Sequence, residues 1–356
     1  GMYGRLLHYP AGTHAPGTMR RIVDGDTQKY LGEIPEAPVT YNVVGNINEH
    51  QVAITETTFG GRHELAPKNP MGGIDYVSLM ALGLQRAKTA REAIKVMTDL
   101  VARYGYSSEG ESFSIADPNE VWIMEMIGKG DEKKGAVWVA VRIPDDCISA
   151  HANQSRIHKF DLKDKKNVMH AKDVIKFARE KGYFSGKDAD FSFSAAYSPA
   201  DFGSQRFCDA RAWSLFNHFV DGMDKYVDFV DGKHIGTSEV MPLYFKPKAP
   251  LELSDVMSAM RDHYEGTPFD ITTNAGAGTN GAPYRPSPLT WEYKGKKYFN
   301  ERPVSTHQAS FVVVAQLRGN LPNPVGGVLW FANDEANTTP FVPIYCSLTK
   351  VTECFA

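Results

Sequence analysis

The sequence predicts an α+β layered fold. Three observations lead there. Strand-like segments gather towards both ends of the chain, and helical patterns lie between them. Two consecutive segments, Val121–Ile127 and Ala136–Ile143, are apolar at nearly every position, as strands covered on both faces are. With 356 residues, 42% of them hydrophobic, the chain can bury a sizeable core. No internal repeat or linker divides it. Residues 1–356 therefore read as one domain, with the Gly- and Pro-rich residues 1–40 as an extended segment belonging to it.

Taken in order, Tyr41–Gly45 and Gln51–Phe59 carry β-branched residues around a short polar insert, which suits a hairpin with a longer loop. The second arm runs through Glu56, Thr57 and Thr58 to Gly60-Gly61. Polar side chains along a strand that ends on a Gly pair suggest an end open to a ligand. Asp75–Arg86 is the first helix. Thr89 to Glu92 reads as a capping box. Ala93, Val96, Met97, Leu100, Val101 and Tyr104 then form an apolar stripe that Gly105 ends. Glu111–Ala116 alternates as a strand does. Glu125, inside the next apolar segment, must be paired or neutral if buried. His170–Lys181 reads as a helix and Phe191–Pro199 as extended. Ser204 is a candidate N-cap for a helix burying Phe207, Ala210, Trp213, Phe216 and Val220. Arg206 then falls in the first turn, where a cation opposes the helix dipole. Ser254–Tyr264 is a further helix, closed by Gly266. Phe311–Leu317, Gly327–Ala332 and Phe341–Leu348 read as strands.

Several chemistries are excluded. The net charge of −3 comes with no basic stripe, so no nucleic-acid partner is expected. No run of ~18 apolar residues predicts a membrane span. The chain reads as soluble, with its compartment undetermined, and any signal peptide would lie upstream. Cys147, Cys208, Cys346 and Cys354 make no CxxC pair and no zinc spacing, and HExxH, GxSxG and Walker patterns are missing. Gly276 to Gly281 is a formal GxGxxG, but the Pro-rich residues after it cannot open the helix a dinucleotide site needs. No metal and no cofactor is expected.

The densest polar cluster is Pro144–Ile157, PDDCISAHANQSRI. It ends a strand pattern and brings together Cys147, His151, Asn153, Gln154, Ser155 and Arg156. Such side chains can donate to an oxyanion or pair with a carboxylate. Cys147 with His151 is the one local thiol–imidazole pair. A small buried cysteine is the more ordinary reading.

YNVVGNINEHQVAITETTFGGR, GESFSIADPNEVWIMEMIG, SAHANQSRI, SPADFGSQRFCDAR, RDHYEGTPFDIT, STHQASFVVVAQLRG and GGVLWFANDEA resemble, in order and over nearly the whole chain, the C69 dipeptidases, relatives of the secernins. The resemblance implies an N-terminal-nucleophile hydrolase fold: a four-layer αββα sandwich of two antiparallel sheets flanked by helices. It implies an amide hydrolase whose nucleophile is an N-terminal cysteine, with its own α-amine as base and an acyl-enzyme intermediate. Small peptides or amides would be the substrates, and a homo-oligomer is left open. By the same resemblance Asn153 matches an oxyanion-hole asparagine and Arg206 an arginine near the nucleophile. Thr58 falls where the choloylglycine relatives place a second oxyanion residue, Asn or Tyr, so a side-chain role for Thr58 is a departure. Glu56, Thr57 and Arg156 are candidate substrate contacts by position. The family's nucleophile strand is expected upstream of Tyr3, and more chain beyond Ala356. The chain as given is therefore expected to be truncated and inactive. An acylase of non-peptide amides and a non-catalytic binding protein are the alternatives.

Overall fold

The computed structural model describes residues 5–283 and 289–355. Its centre is an antiparallel eight-stranded meander whose spatial order follows the chain. The strands are β1 (His8–Tyr9), β2 (Val43–Val44), β3 (Ile47–Asn48), β4 (Ala53–Gly60), β5 (Gly110–Ala116), β6 (Val121–Gly128), β7 (Ala136–Ile143) and β8 (Val168–His170). The insert between the two predicted hairpin arms thus contains a strand of its own, β3. Two tight turns replace the expected longer loop, and Gly45, at φ +56°, makes the first of them.

Directly opposed residues in a sheet share a face, so the register sorts the side chains. Glu56, Phe113, Met124 and Ala140 lie in one row, and Ile54, Ile115 and Trp122 in the next. This face packs on α1 (Tyr76–Arg86) and α2 (Ala90–Tyr104). The α1 N-terminus is held by Asp75, whose Oδ2 accepts from the amides of Val77, Ser78 and Gly25. Thr89 Oγ1 accepts from Glu92 N at 3.2 Å, while the Glu92 carboxylate reaches Lys88 N, one residue before the cap. Gly105 ends α2 at φ +99°. Ala93, Ile94, Met97, Leu100 and Val101 are buried, and each large side chain among them contributes about 1.5–3 kcal/mol.

The opposite face is divided. At the β2–β4 end, Val44, Ile47 and Ala53 pack against a three-stranded sheet of β9 (Phe311–Leu317), β10 (Gly327–Asn333) and β11 (Val342–Tyr345) through Leu329, Phe331 and Ile344. At the β6–β7 end, Ile123, Ile127, Val137 and Val139 pack on α3 (Val174–Glu180) and α4 (Phe193–Tyr197). Between them lies a row that is polar: Thr57 opposite Ser112 opposite Glu125, with Thr55 opposite Ser114 beside it.

Four local expectations need correction. Phe191–Pro199 is not extended; α4 forms because Ser192 Oγ accepts from Ala195 N and the Tyr197 hydroxyl is anchored on Val174 O. His170 ends β8, so the following helix begins only at Val174. The helix expected over Ser254–Tyr264 spans Leu253–Ala259, with Glu252 and Asp255 forming its capping box. Asp201, not Ser204, caps the next helix: its Oδ1 accepts from Ser204 N, and Ser204 Oγ accepts from Asp201 N. That helix opens with a π-helical turn, Ser204–Asp209, and continues as α5 (Ala210–Phe219).

Candidate active site

The polar row is covered by residues 147–157, the cluster singled out in the sequence. Glu125 fixes the cover. Its side chain is fully buried, and its oxygens accept from Ser155 Oγ at 2.5 Å, Arg156 N at 2.5 Å and Ile157 N at 3.2 Å. Burial pushes its carboxyl up to about 7, opposed by those same bonds and by the Arg156 charge. The expectation that Glu125 is paired or neutral is met by three donors from one segment.

Arg156 is 2% exposed. Its guanidinium meets Asp209 at 3.2 Å and donates to the carbonyls of Ala150, Met241 and Pro242. All of these partners are protein groups, and together they tie segment 147–157 to the 241–242 loop and to the π-helical turn. Asp209 is pushed up to about 6 by burial, against the pull of Arg156 and Arg211.

His151 bridges two strands of the sheet. Thr57 Oγ1 donates to Ala152 O at 2.8 Å and has no second proton, so His151 Nδ1, 2.6 Å away, is the donor to it. That tautomer leaves Nε2 to accept from Ser114 Oγ at 2.7 Å. Burial, then the Arg156 charge, lowers the imidazole to about 4, so the ring is neutral at physiological pH.

Asn153 lies at the end of β4. One proton of Nδ2 goes to Thr58 O at 2.6 Å. Oδ1 accepts from Arg211 Nη2 at 2.7 Å, and Arg211 is itself steadied by its Nε bond to Phe207 O. An amide nitrogen has two protons. Among the described residues the second one of Asn153 has no partner. Strand β4 is paired along its length by β5, but meets β3 only at Ala53. The site therefore sits at a strand end whose polar residues Thr55 to Thr58 are half-buried rather than sealed.

The structure thus brings Thr57, Thr58 and Asn153 together, Thr58 through its main chain. The Thr58 hydroxyl faces the other way and donates to Glu111 Oε1 at 2.9 Å. Glu56 is on that helix-covered face as well. Burial and the Glu56 charge raise Glu111 far above the usual carboxylate range, so it holds a proton at neutral pH. Arg206 is not brought to Asn153. Its guanidinium donates to Asp231 at 3.0 Å and Glu301 at 2.5 Å, and lies 4.0 Å from the Phe269 ring centroid. Arg211, five residues on, occupies the place beside Asn153.

The four cysteines are free. Cys147 contacts Asp146, Cys346 is buried in the three-stranded-sheet core and Cys354 is exposed. Cys208 is buried, donates to Gly203 O, and has its thiol pushed up by burial despite Arg211 and Arg302 nearby. None is paired with His151. A cleft of about 1180 Å³ is lined by Gln154 through Phe160, with Gln205, Asp209 and the 236–244 loop.

Sequence reasoning missed Arg211, Glu111 and Ser114. Ser112 and Ser114 alternate with Phe113 and Ile115 in a strand flanked by apolar ones, and that polar face was a usable signal. Arg211 left none, because 58 residues separate it from Asn153.

A family model described as Peptidase family C69 matches residues 5–356. The chain belongs to peptidase family C69. The Salmonella dublin protein named "Probable dipeptidase" is 27% identical over 359 residues, covering 96% of this chain and 73% of that protein. A "Probable dipeptidase" of Latilactobacillus sakei is 27% identical over 318 residues, with 88% of this chain and 60% of that protein covered. A "Dipeptidase" of Bifidobacterium longum is 27% identical over 351 residues, with the same two coverages. The chain thus spans between 60% and 73% of these relatives' lengths.

Proposed function

We propose that the protein is a dipeptidase-type amide hydrolase and that Asn153 binds the scissile carbonyl. One observation carries this reading: the Asn153 amide is anchored at both ends, by Thr58 O and by Arg211, with one N–H left over among the described residues. As a nucleophile adds to the carbonyl carbon, negative charge gathers on its oxygen, and a fixed N–H aimed there lowers the barrier. The Arg211 charge behind Oδ1 polarises the amide and strengthens that donor.

The family resemblance supplies the remainder. A cysteine thiolate attacks the carbonyl, its proton having passed to the α-amine. The tetrahedral adduct collapses, the amine leaves with that proton, and water releases the acyl group. No cysteine described here has a base beside it, and burial raises Cys208. In this reading the 356-residue chain holds and polarises the amide without cleaving it. Arg211 stands beside the amide in this reading, while Arg206, which the resemblance puts near the nucleophile, is held by Asp231 and Glu301. Thr57 lines the approach along β4 on the Asn153 face, and Glu56, on the helix-covered face, takes no part in this reading. The four-layer αββα arrangement is supported at one end of the sheet, where α1 packs on β2 and β3, β10 on β3, and α6 (Leu253–Ala259) on β9.

Asn153→Ala tests the assignment in the protein carrying the family's nucleophile. It should lower kcat by about 10²–10³ with little change in stability; an unchanged kcat refutes it. A second reading, an acylase, is favoured by the 1180 Å³ cleft on the same segment, which has room for a large acyl group. Relative rates on dipeptides and N-acyl amino acids separate the two.

A further inference from the structure

Asn153 and the residues after it border different spaces. Gln154 to Ile157 line the cleft of about 1180 Å³, whereas Asn153, Thr57 and Thr58 are not among its lining residues. Ile157, Phe160, Phe229, Val240 and Leu243 make much of its wall apolar. The π-helical turn Ser204–Asp209 contributes Gln205 and Asp209, which lie one turn apart and both line the cleft. A π turn gives up helix geometry and occurs mostly at functional sites. Both side chains are buried, at 2% and 6% exposure, and both carry unanswered polar atoms. Asp209 Oδ1 meets Arg156 Nε at 3.2 Å, but Oδ2 has no partner among the described residues. Gln205 Oε1 is buried without a donor, and its Nε2 has no acceptor among the described residues. His158 lines the same cleft, and neither of its ring nitrogens is bonded among the described residues. Burial, then the Arg156 charge, lowers that ring to about 4, so it is neutral at physiological pH. Buried acceptors left without a donor are costly, and one cleft gathers several of them.

We infer that this cleft is a binding site of its own, for a neutral molecule with an apolar or aromatic body and one N–H or O–H donor that reaches Asp209 Oδ2 and the Gln205 amide. Charge sets the neutrality. Arg156 and Asp209 cancel as a pair, so a cationic ligand meets Arg156 and an anionic one meets Asp209. Size and lining set the body, because small-molecule sites are mostly apolar hollows with a few placed polar groups. The donor follows from the acceptors. Asp209 Oδ2 and Gln205 Oε1 both take a hydroxyl or an N–H, and the bond to the carboxylate is the stronger kind. A plain acyl chain would fill the same space and leave both oxygens unanswered. The inference does not rest on the hydrolase reading, since Asn153 lies outside these walls.

The test is binding to the 356-residue chain, followed by fluorescence titration and ligand-observed NMR, with three probes of one shape. N-phenylnaphthylamine is neutral and has one N–H, phenylnaphthalene lacks the N–H, and anilinonaphthalene sulfonate adds an anion. N-phenylnaphthylamine should bind about tenfold or more tightly than phenylnaphthalene, and the sulfonate more weakly than its neutral parent. Gln205→Leu keeps the side-chain bulk and removes the amide; it should cut the preference for the N–H probe severalfold and leave phenylnaphthalene's affinity unchanged. Ser238→Trp, at an exposed position in the lining loop, should weaken both neutral probes alike by filling the cleft. Equal binding of the two neutral probes overturns the inference and leaves a plain apolar hollow, as an acyl group needs. Tightest binding by the sulfonate overturns the neutrality. An unchanged preference in Gln205→Leu overturns the placing of the donor, and unchanged binding in Ser238→Trp overturns the placing of the ligand. Binding of no probe overturns the site. None of these outcomes touches the hydrolase reading, which keeps its own test in the kcat of Asn153→Ala.

Discussion

His151 Nε2 lies 2.7 Å from Ser114 Oγ, and the other ring nitrogen lies 2.6 Å from Thr57 Oγ1, so one imidazole joins β4 to β5 from above. The ring does this in its neutral form. Its folded value of about 4 lies below the ordinary 6.5. The stabilisation is therefore full above pH 6.5 and is lost as pH falls through 4. A histidine titration followed by NMR, with His151→Gln to assign the resonance, should show no His151 midpoint above pH 5. A midpoint near 6.5 would mean that the ring is solvated and the bridge absent.

Glu125 has the opposite pH behaviour. Its folded value of about 7 lies above the ordinary 4.5. It adds stability below pH 4.5 that is lost as pH rises through 7, by roughly 3 kcal/mol over the whole window. Glu125→Gln should lower stability at every pH, since an amide cannot accept all the donors at this site. The difference between wild type and variant should shrink by that amount from pH 4.5 to pH 8 in denaturant titrations. A constant difference would show that Glu125 does not titrate in this range.

Arg206→Met separates a structural role from a catalytic one. The change leaves Glu301 beside Asp231 without the shared cation, and should cost about 3 kcal/mol of stability. In a hydrolysing form of the protein, the loss of kcat at a temperature where the variant is folded should stay below that of Asn153→Ala. A larger loss of kcat, with unchanged stability, would restore Arg206 to direct contact with the reacting group.

Gly61→Ala should damage the end of β4 from outside the site. Gly61 has φ +79°, and a Cβ there would stand 2.5 Å from Ile127 Cδ1 and 3.0 Å from Tyr197 O. A cost of about 2 kcal/mol is expected. It would be read as a lower denaturant midpoint with an unchanged m-value. Full stability would show that the turn after β4 is free to move.

The parts of the fold set by local pattern were legible in the sequence. The stripe on α2, its Thr89 cap and its Gly105 stop are all within one stretch of chain, and Ala136–Ile143 has the predicted bounds. The segment 191–199 was not legible, because its aromatic residues favour strands and only the packing of Tyr197 on Val174 and Phe177 makes a helix of it. Asn153 and segment 147–157 were legible as a polar cluster at a strand end. Their partners were not: Thr57, Ser114, Glu125 and Arg211 each meet the cluster across 30 or more residues.

The three bonds by which Glu125 holds residues 155–157 bear on the order of folding. Donor and acceptor are 30 to 32 residues apart, and the acceptor is in the middle strand of a hairpin pair that can form from local contacts first. Loop-closure entropy favours the nearer contacts. Substitutions at Ser155 that weaken this anchor should therefore speed unfolding and leave the refolding rate almost unchanged, giving φ-values near zero. The segment proposed to hold the scissile carbonyl is then the last to be assembled on the sheet and the first to detach from it.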